Sequence, residues 1–224
     1  GRCGGIGWAW VAPLAVDALG RENVAGIGMP SRYSSDHSLA DAEQLAQNLG
    51  IEFHTLSIAP LQQTFEDVLQ PVFAGTSPGV AEENLQSRMR GVLLMGFANK
   101  HGHLLLTTGN KSECAVGYCP IYGDTNGALA PIADLWKTEV WEMSRWLNRD
   151  GERIPSNSIN KPPSAELRPD QLDSDSLPDY SQLDPVLRSL VEDELSVAAT
   201  AERTGMPVAE VERLFRLVQN SEWK

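Results

Sequence analysis

The stretch HLLLTTGNKSE, residues 103–113, sets the terms on which the rest of the chain is read. An apolar run closing in Thr107-Thr108-Gly109 has the form of a buried strand that ends in a loop. In open α/β sheets, ligands sit at such strand ends. Two hydroxyls, a glycine, an amide, a cation and a carboxylate follow one another here, and oxygen donors of this kind suit Mg²⁺ with a polyphosphate. Glu113 would bind the hard cation while Thr108 and Lys111 approach phosphate oxygens. An equally good reading is a helix start, with Asn110 or Ser112 as cap and Glu113 in the first turn.

The flanking sequence has a βαβ rhythm. VAGIGMP (24–30) reads as a short buried strand. SLADAEQLAQNLG (38–50) reads as an amphipathic helix capped by Ser38 and closed by Gly50, and IEFHTLSI (51–58) as a second strand. Upstream, AWVAPLAVDALG (9–20) has helical apolar spacing interrupted by Pro13. Downstream, helical patterns cover about 82–100 and 136–148, and two short helices flank Gly205-Met206-Pro207 in a helix-turn-helix pattern that reads chiefly as a packing unit. Residues 151–180, rich in Pro, Asp and Ser, read as a linker or a lid.

Composition limits the function classes. The chain has 224 residues, 42% of them hydrophobic, enough to bury a core. Thirty acidic against eighteen basic side chains give a net charge of −12, which argues against wholesale nucleic-acid binding. Cys3, Cys114 and Cys119 lack metal-ligand spacing and suit reduced thiols. No apolar run approaches membrane-spanning length and no secretory leader is evident, so a cytoplasmic protein without membrane attachment is expected.

Polar clusters fall at the ends of the expected strands. PSRYSSDHS (30–38) brings Arg32 to a loop edge. In EENLQSRMRG (82–91), Asn84, Arg88 and Gly91 recur at near-turn spacing, giving one helix face an amide and a fork-shaped cation suited to phosphate or carboxylate, or simply a solvated face. YGDTNGALAPIADLWKTEV (122–140) sets Asp124 in a glycine-bounded turn. Lys137 opens a helix there, where a cation opposes the dipole and is better explained by a negative ligand. KPPSAELRPDQLDSDSLPDY (161–180) offers Lys161 and Ser164 on a proline-stiffened loop. At the amino end, Cys3-Gly4-Gly5-Ile6-Gly7-Trp8 has paired glycines ahead of a helix, as in a phosphate-binding loop or an ordinary turn.

Taken in order, this glycine loop, MPSRYSS, EENLQSRMRG, TTGNKSE, YGD, KPPSAELRPDQ and DSLPDY resemble the synthetase domain of NAD synthetases, most closely the long glutamine-dependent form. The resemblance implies an α/β fold: a parallel sheet flanked by helices, adenine-nucleotide α-hydrolase-like (an ATP pyrophosphatase), with a C-terminal helical appendage. Residues 1–150 would form the nucleotide-binding core with its first strand missing, 151–180 a substrate-covering loop, and 181–224 helices of the same domain. The implied reaction is ATP-dependent amidation of nicotinic acid adenine dinucleotide through an adenylate, with ATP and Mg²⁺ as cofactors. Ammonia would be the co-substrate, a homodimer the expected assembly, and a glutaminase domain would precede Gly1.

By the same resemblance, Cys3, Gly4, Gly5, Gly7, Trp8, Arg32, Thr108 and Lys111 would bind ATP. Asn84, Arg88, Asp124, Lys137, Lys161 and Ser164 would hold the substrate. Asp124, Lys137 and Thr108 would serve catalysis, and Glu113 the metal.

The glycine loop departs from the family pattern, Ser-Gly-Gly-x-Asp-Ser, at Cys3, Gly7 and Trp8. Gly7 lacks a carboxylate that would share the metal with Glu113, and Trp8 fills space meant for phosphate, so a weak or inactive synthetase is expected. Each of these three departures, together with Arg2 and Trp10 in place of leucines, is one change to G at the middle codon base. The alternatives are a non-catalytic nucleotide-binding module of the same fold, another ATP pyrophosphatase such as a GMP synthetase, or a helix-turn-helix regulator.

Overall fold

The computed structural model describes residues 5–222. Two parallel strands, β1 (Ala25–Gly28) and β2 (Glu52–Thr55), pair in register from Ala25 opposite Glu52 to Gly28 opposite Thr55. Helix α1 (Ile6–Leu19) precedes them and α2 (Asp36–Leu49) connects them. The chain continues as α3 (Ala59–Phe73), α4 (Val80–His101), α5 (Lys111–Ala115), α6 (Lys137–Leu147), α7 (Ser156–Asn160), α8 (Tyr180–Val191), α9 (Val197–Thr204) and α10 (Val208–Gln219).

Local chemistry sets the boundaries. The Ser35 hydroxyl accepts the Ser38 N–H at 3.2 Å, so Ser35 caps α2, and Ser38, expected as the cap, lies one turn inside. Gly50 ends α2 at φ 65°, where its N–H reaches the carbonyls of Ala46 and Gln47. Helix α1 runs through Pro13 and forfeits one backbone hydrogen bond there. The run 103–109, expected as a buried strand, is reduced to a single parallel bridge between Leu106 and Leu129, and Leu104 is 67% exposed. Residues 151–180 carry α7 and a 3₁₀ turn at Asp173–Asp175.

Two apolar clusters hold these elements. Ile6, Trp10 and Val11 of α1 pack with Leu45 of α2, Val140 of α6 and Ile154. Trp136 packs with Leu183 and Leu187 of α8 and Val211 and Leu214 of α10. The helix-turn-helix pattern is therefore a packing unit, and its arginines are neutralised locally: Arg213 by Glu210, Arg216 by Glu212 and Arg203 by Asp193. Among the described residues no helix is long and apolar enough to cross a membrane.

Candidate active site

One pocket gathers residues from distant parts of the chain. Gly5, Gly7 and Trp8 come from the start of α1, Thr108 from the end of the 103–109 run, Glu113 from α5, and Asp124 from its turn. Lys137 opens α6, and Lys161 and Ser164 come from the segment after α7.

Glu113 takes the helix-start reading, in the first turn of α5. The Asn110 side chain accepts the Glu113 N–H at 3.0 Å and Glu113 Oε2 accepts the Asn110 N–H at 3.2 Å, a reciprocal cap for α5. The other oxygen, Oε1, faces Lys137 Nζ at 2.9 Å. The anion called for at the N-terminus of α6 is thus a protein carboxylate. Lys137 is 5% exposed, and its ammonium also lies 5.0 Å from the centre of the Tyr180 ring. Ser112 is not the cap. Its buried hydroxyl donates to Asp184 at 2.6 Å and accepts the Lys137 N–H at 2.9 Å, fixing where α6 begins relative to α5.

Asp124 is oriented by the Ser87 hydroxyl, 3.0 Å from Oδ1, while its carbonyl accepts the Thr107 hydroxyl at 2.6 Å. A side chain at Gly91 would collide with the Tyr122 carbonyl, 2.5 Å from an added Cβ, so glycine there lets the Asp124 turn sit against α4. Gly7 plays the same part at α1, because a Cβ would overlap the Thr108 carbonyl oxygen. The loop after α7 is tied to α2: Lys161 donates to Ser38 at 2.9 Å, and Glu166 accepts from the Ser35 hydroxyl at 3.0 Å and from Ser38.

Four expected residues lie outside this pocket. Arg32 pairs with Glu66 at 2.8 Å on the surface, and Lys111 with Glu192 at 2.6 Å. Arg88 donates to the Ile121 carbonyl at 3.1 Å, and Asn84 is half-buried on α4. Cys3 and Gly4 fall outside the described residues.

The pocket also contains Arg90, Glu166 and Asp173, none of them anticipated. Arg90 stands two residues from Arg88, about 200° round the helix, so the spacing that picked Arg88 looked at the other face. Asp173 is 4% exposed; Oδ2 accepts the Tyr180 hydroxyl at 2.9 Å and Oδ1 has no hydrogen-bond partner. Burial, with Glu113 and Asp173 nearby, pushes the Tyr180 phenol far up, so it stays a neutral donor. A hydrogen bond with the Cys119 thiol lowers Cys114. Both cysteines are unbridged.

Among the described residues no group of three or more His, Cys, Asp or Glu side chains could hold a metal by itself. Glu113 and Asp124 nevertheless face one pocket, and one or two carboxylates completed by phosphate oxygens and water suit a Mg²⁺ ion carried by a nucleotide.

A family model described as NAD synthase matches residues 1–224. A glutamine-dependent NAD(+) synthetase of Synechocystis sp. is 55% identical over the whole chain, which spans 40% of that relative's length. The glutamine-dependent NAD+ synthetase of Acinetobacter baumannii, solved in complex with ADP, has a TM-score of 0.70 at 38% identity, over 99% of this chain and 40% of that one. The NMN synthetase of Francisella tularensis has a TM-score of 0.80 at 27% identity, over 99% of this chain and 83% of that one.

Proposed function

Because the chain belongs to the NAD synthase family, we propose that residues 1–224 carry out the ATP-driven amidation of nicotinic acid adenine dinucleotide to NAD. The observation that carries this reading is the shared pocket of Thr108, Glu113, Asp124, Lys137 and Lys161, drawn from distant stretches of sequence. A nicotinate carboxylate oxygen attacks the α-phosphorus of ATP and pyrophosphate leaves. Ammonia then attacks the carbonyl carbon, loses a proton and expels AMP.

Each residue has a task in keeping with its setting. The backbone at Gly5 and the Thr108 hydroxyl receive the departing pyrophosphate. Lys137, buried against Glu113, sets a fixed positive charge beside the reacting phosphate, and Asp124, held by Ser87, orients the pyridine ring. Mg²⁺ bound by Glu113 and Asp124 would enter with ATP and neutralise phosphate charge. The Lys161–Ser164 segment excludes water from the adenylate. Asn84, Arg88, Arg32 and Lys111 reach substrate only if the nucleotides extend beyond the pocket.

A homodimer is proposed through the exposed apolar side chains of α3 and α4, with Phe65, Val68, Val72 and Val92 at its centre. A cytosolic location and ammonia delivered from a glutaminase region of a longer protein are part of the same proposal.

The test is pyrophosphate release by this chain with ATP, Mg²⁺, ammonium and the dinucleotide. Slow release that depends on the dinucleotide, with NAD as product, is expected, the rate being held down by Gly7 and Trp8; ATP binding without release would favour a non-catalytic module. Nicotinic acid mononucleotide belongs in the same assay, because the Francisella neighbour is an NMN synthetase. Faster turnover with the mononucleotide would move the substrate assignment.

A further inference from the structure

Cys114 and Cys119 stand on either side of the turn that ends α5, and the fold brings their sulfurs together. Gly117 takes a left-handed backbone, φ 72°, which reverses the chain at the helix end. Its N–H reaches the Cys114 carbonyl at 3.1 Å, and the Tyr118 N–H reaches the Glu113 carbonyl at 2.8 Å, the paired bonds of a Schellman turn. Cys119, the next residue, is thereby returned to the side of α5, where its thiol hydrogen-bonds with that of Cys114.

The two thiols are placed unequally. Cys114 is exposed, whereas Cys119 is 4% exposed and lines the active-site pocket. An oxidant arriving from solvent therefore meets Cys114 first, with a second thiol already in contact to complete a bridge.

The pair also ties together two parts of the pocket. Glu113 precedes Cys114 and is anchored by Asn110 through one carboxylate oxygen and by Lys137 through the other. Cys119 leads into the turn of Asp124, which hangs on the next residue: the Pro120 carbonyl accepts the Gly123 N–H at 3.1 Å and the Thr125 N–H at 3.4 Å. Drawing the sulfurs from a hydrogen-bonded contact to a bond of about 2.05 Å shortens the closed turn between them. With Glu113 anchored, Cys119 and the chain after it take up the movement.

We propose that Cys114 and Cys119 are a site of reversible oxidation by peroxides, closing an internal disulfide that shifts the Asp124 turn. The Cys114 sulfur takes one oxygen from hydrogen peroxide, the O–O bond breaks and water leaves, giving a sulfenic acid. The Cys119 sulfur displaces that oxygen, the S–S bond forms, and the thiol proton leaves in a second water. The two thiols give up two electrons and two protons, and one peroxide becomes two waters. Small thiols reverse the bond by exchange, as suits a protein held among reduced thiols.

Both cysteines fall in one tryptic peptide, residues 112–137, and Cys3 falls in another. The full 224-residue chain is treated with hydrogen peroxide, alkylated with iodoacetamide in denaturant and digested. Peptide 112–137 should carry no label and lack two hydrogens, and dithiothreitol before alkylation should restore both labels. In Cys119→Ala, Cys114 should stop as a sulfenic acid that dimedone captures. In Cys114→Ala, the buried Cys119 should survive peroxide about tenfold longer than in the parent chain. Hydrogen exchange at the Gly123 and Thr125 amides should rise several-fold in the bridged chain. A parent peptide that keeps both labels, a bridge to Cys3 or to a second chain, or sulfinic acid at Cys114 without a bridge overturns the site. A bridge with unchanged exchange at Gly123 and Thr125 overturns its effect on the turn. These readouts need neither nucleotide nor turnover, so their failure is distinct from failure of the synthetase reading.

Discussion

Lys137 Nζ and Glu113 Oε1 stand 2.9 Å apart with side chains 7% and 19% exposed, joining the first residue of α6 to the cap of α5 across the floor of the pocket. Removing either partner leaves the other charge poorly solvated. We expect Lys137→Met and Glu113→Gln each to cost about 3 kcal/mol in urea unfolding, with the double variant losing less than the sum. Additive losses would show that the pair is not coupled. In the synthetase assay both single variants should lose dinucleotide-dependent pyrophosphate release.

Gly7 touches the Thr108 backbone so closely that restoring the family's aspartate is not a simple repair. An added Cβ overlaps the Thr108 carbonyl oxygen, and backbone cannot swing aside as a long side chain can. Gly7→Ala should destabilise the chain by about 1–3 kcal/mol, and Gly7→Asp alone should do no better. Thermal unfolding measures this directly. An unchanged melting temperature for Gly7→Ala would show that the Thr108 segment yields freely.

Asp184 gives stability a definite pH slope. Burial raises its pKa above the ordinary value of 3.8, outweighing the hydrogen bonds from Ser112 and Thr138 that act the other way. The folded state therefore holds this proton more tightly than the unfolded state. The stabilisation is complete below pH 3.8 and is lost as pH rises through the folded value. Relative to Asp184→Asn, the parent chain should gain stability as pH falls toward 3.8. A relative loss over that range would show that the hydrogen bonds dominate.

The parallel βαβ unit was legible because periodicity and the C-terminal cap agree there: Gly50 takes a left-handed backbone, and Ala42, Leu45, Ala46 and Leu49 of α2 are buried at helical spacing. Helix α3 was not legible, and α8 was expected only as part of the helices of 181–224 without bounds of its own; both contain proline, Pro71 and Pro185. Packing of Leu183 and Leu187 overrides the lost hydrogen bond in α8, which no local pattern reveals. The 103–109 run failed for the opposite reason, since its composition demands a burial that only neighbouring strands can supply. Thr108, Glu113, Asp124 and Lys137 were singled out because polar groups at helix starts and strand ends call for partners, and the structure sets all four along one pocket. Arg90 and Glu166 were hidden because their partners, Met29 for the one and Ser35 with Ser38 for the other, are remote in sequence, whereas the partner of Asp173 is the nearby Tyr180, in a segment without periodicity.

Glu166 fastens the loop after α7, and that fastening can be cut without touching the pocket floor. Its carboxylate takes hydrogen bonds from Ser35 and Ser38 in the first turn of α2, where the helix dipole favours negative charge, and its backbone is held at a φ of 48°. Neighbouring Lys161 grips Ser38 and Asp41 on the same helix. Glu166→Ala should therefore loosen residues 161–172 while leaving both apolar clusters intact. Hydrogen exchange in that segment should rise several-fold with little change in global unfolding. If the loop excludes water from the adenylate, the variant should also release more AMP per NAD formed. Faster exchange with an unchanged AMP to NAD ratio would leave the latch standing and remove the loop's role in shielding the intermediate.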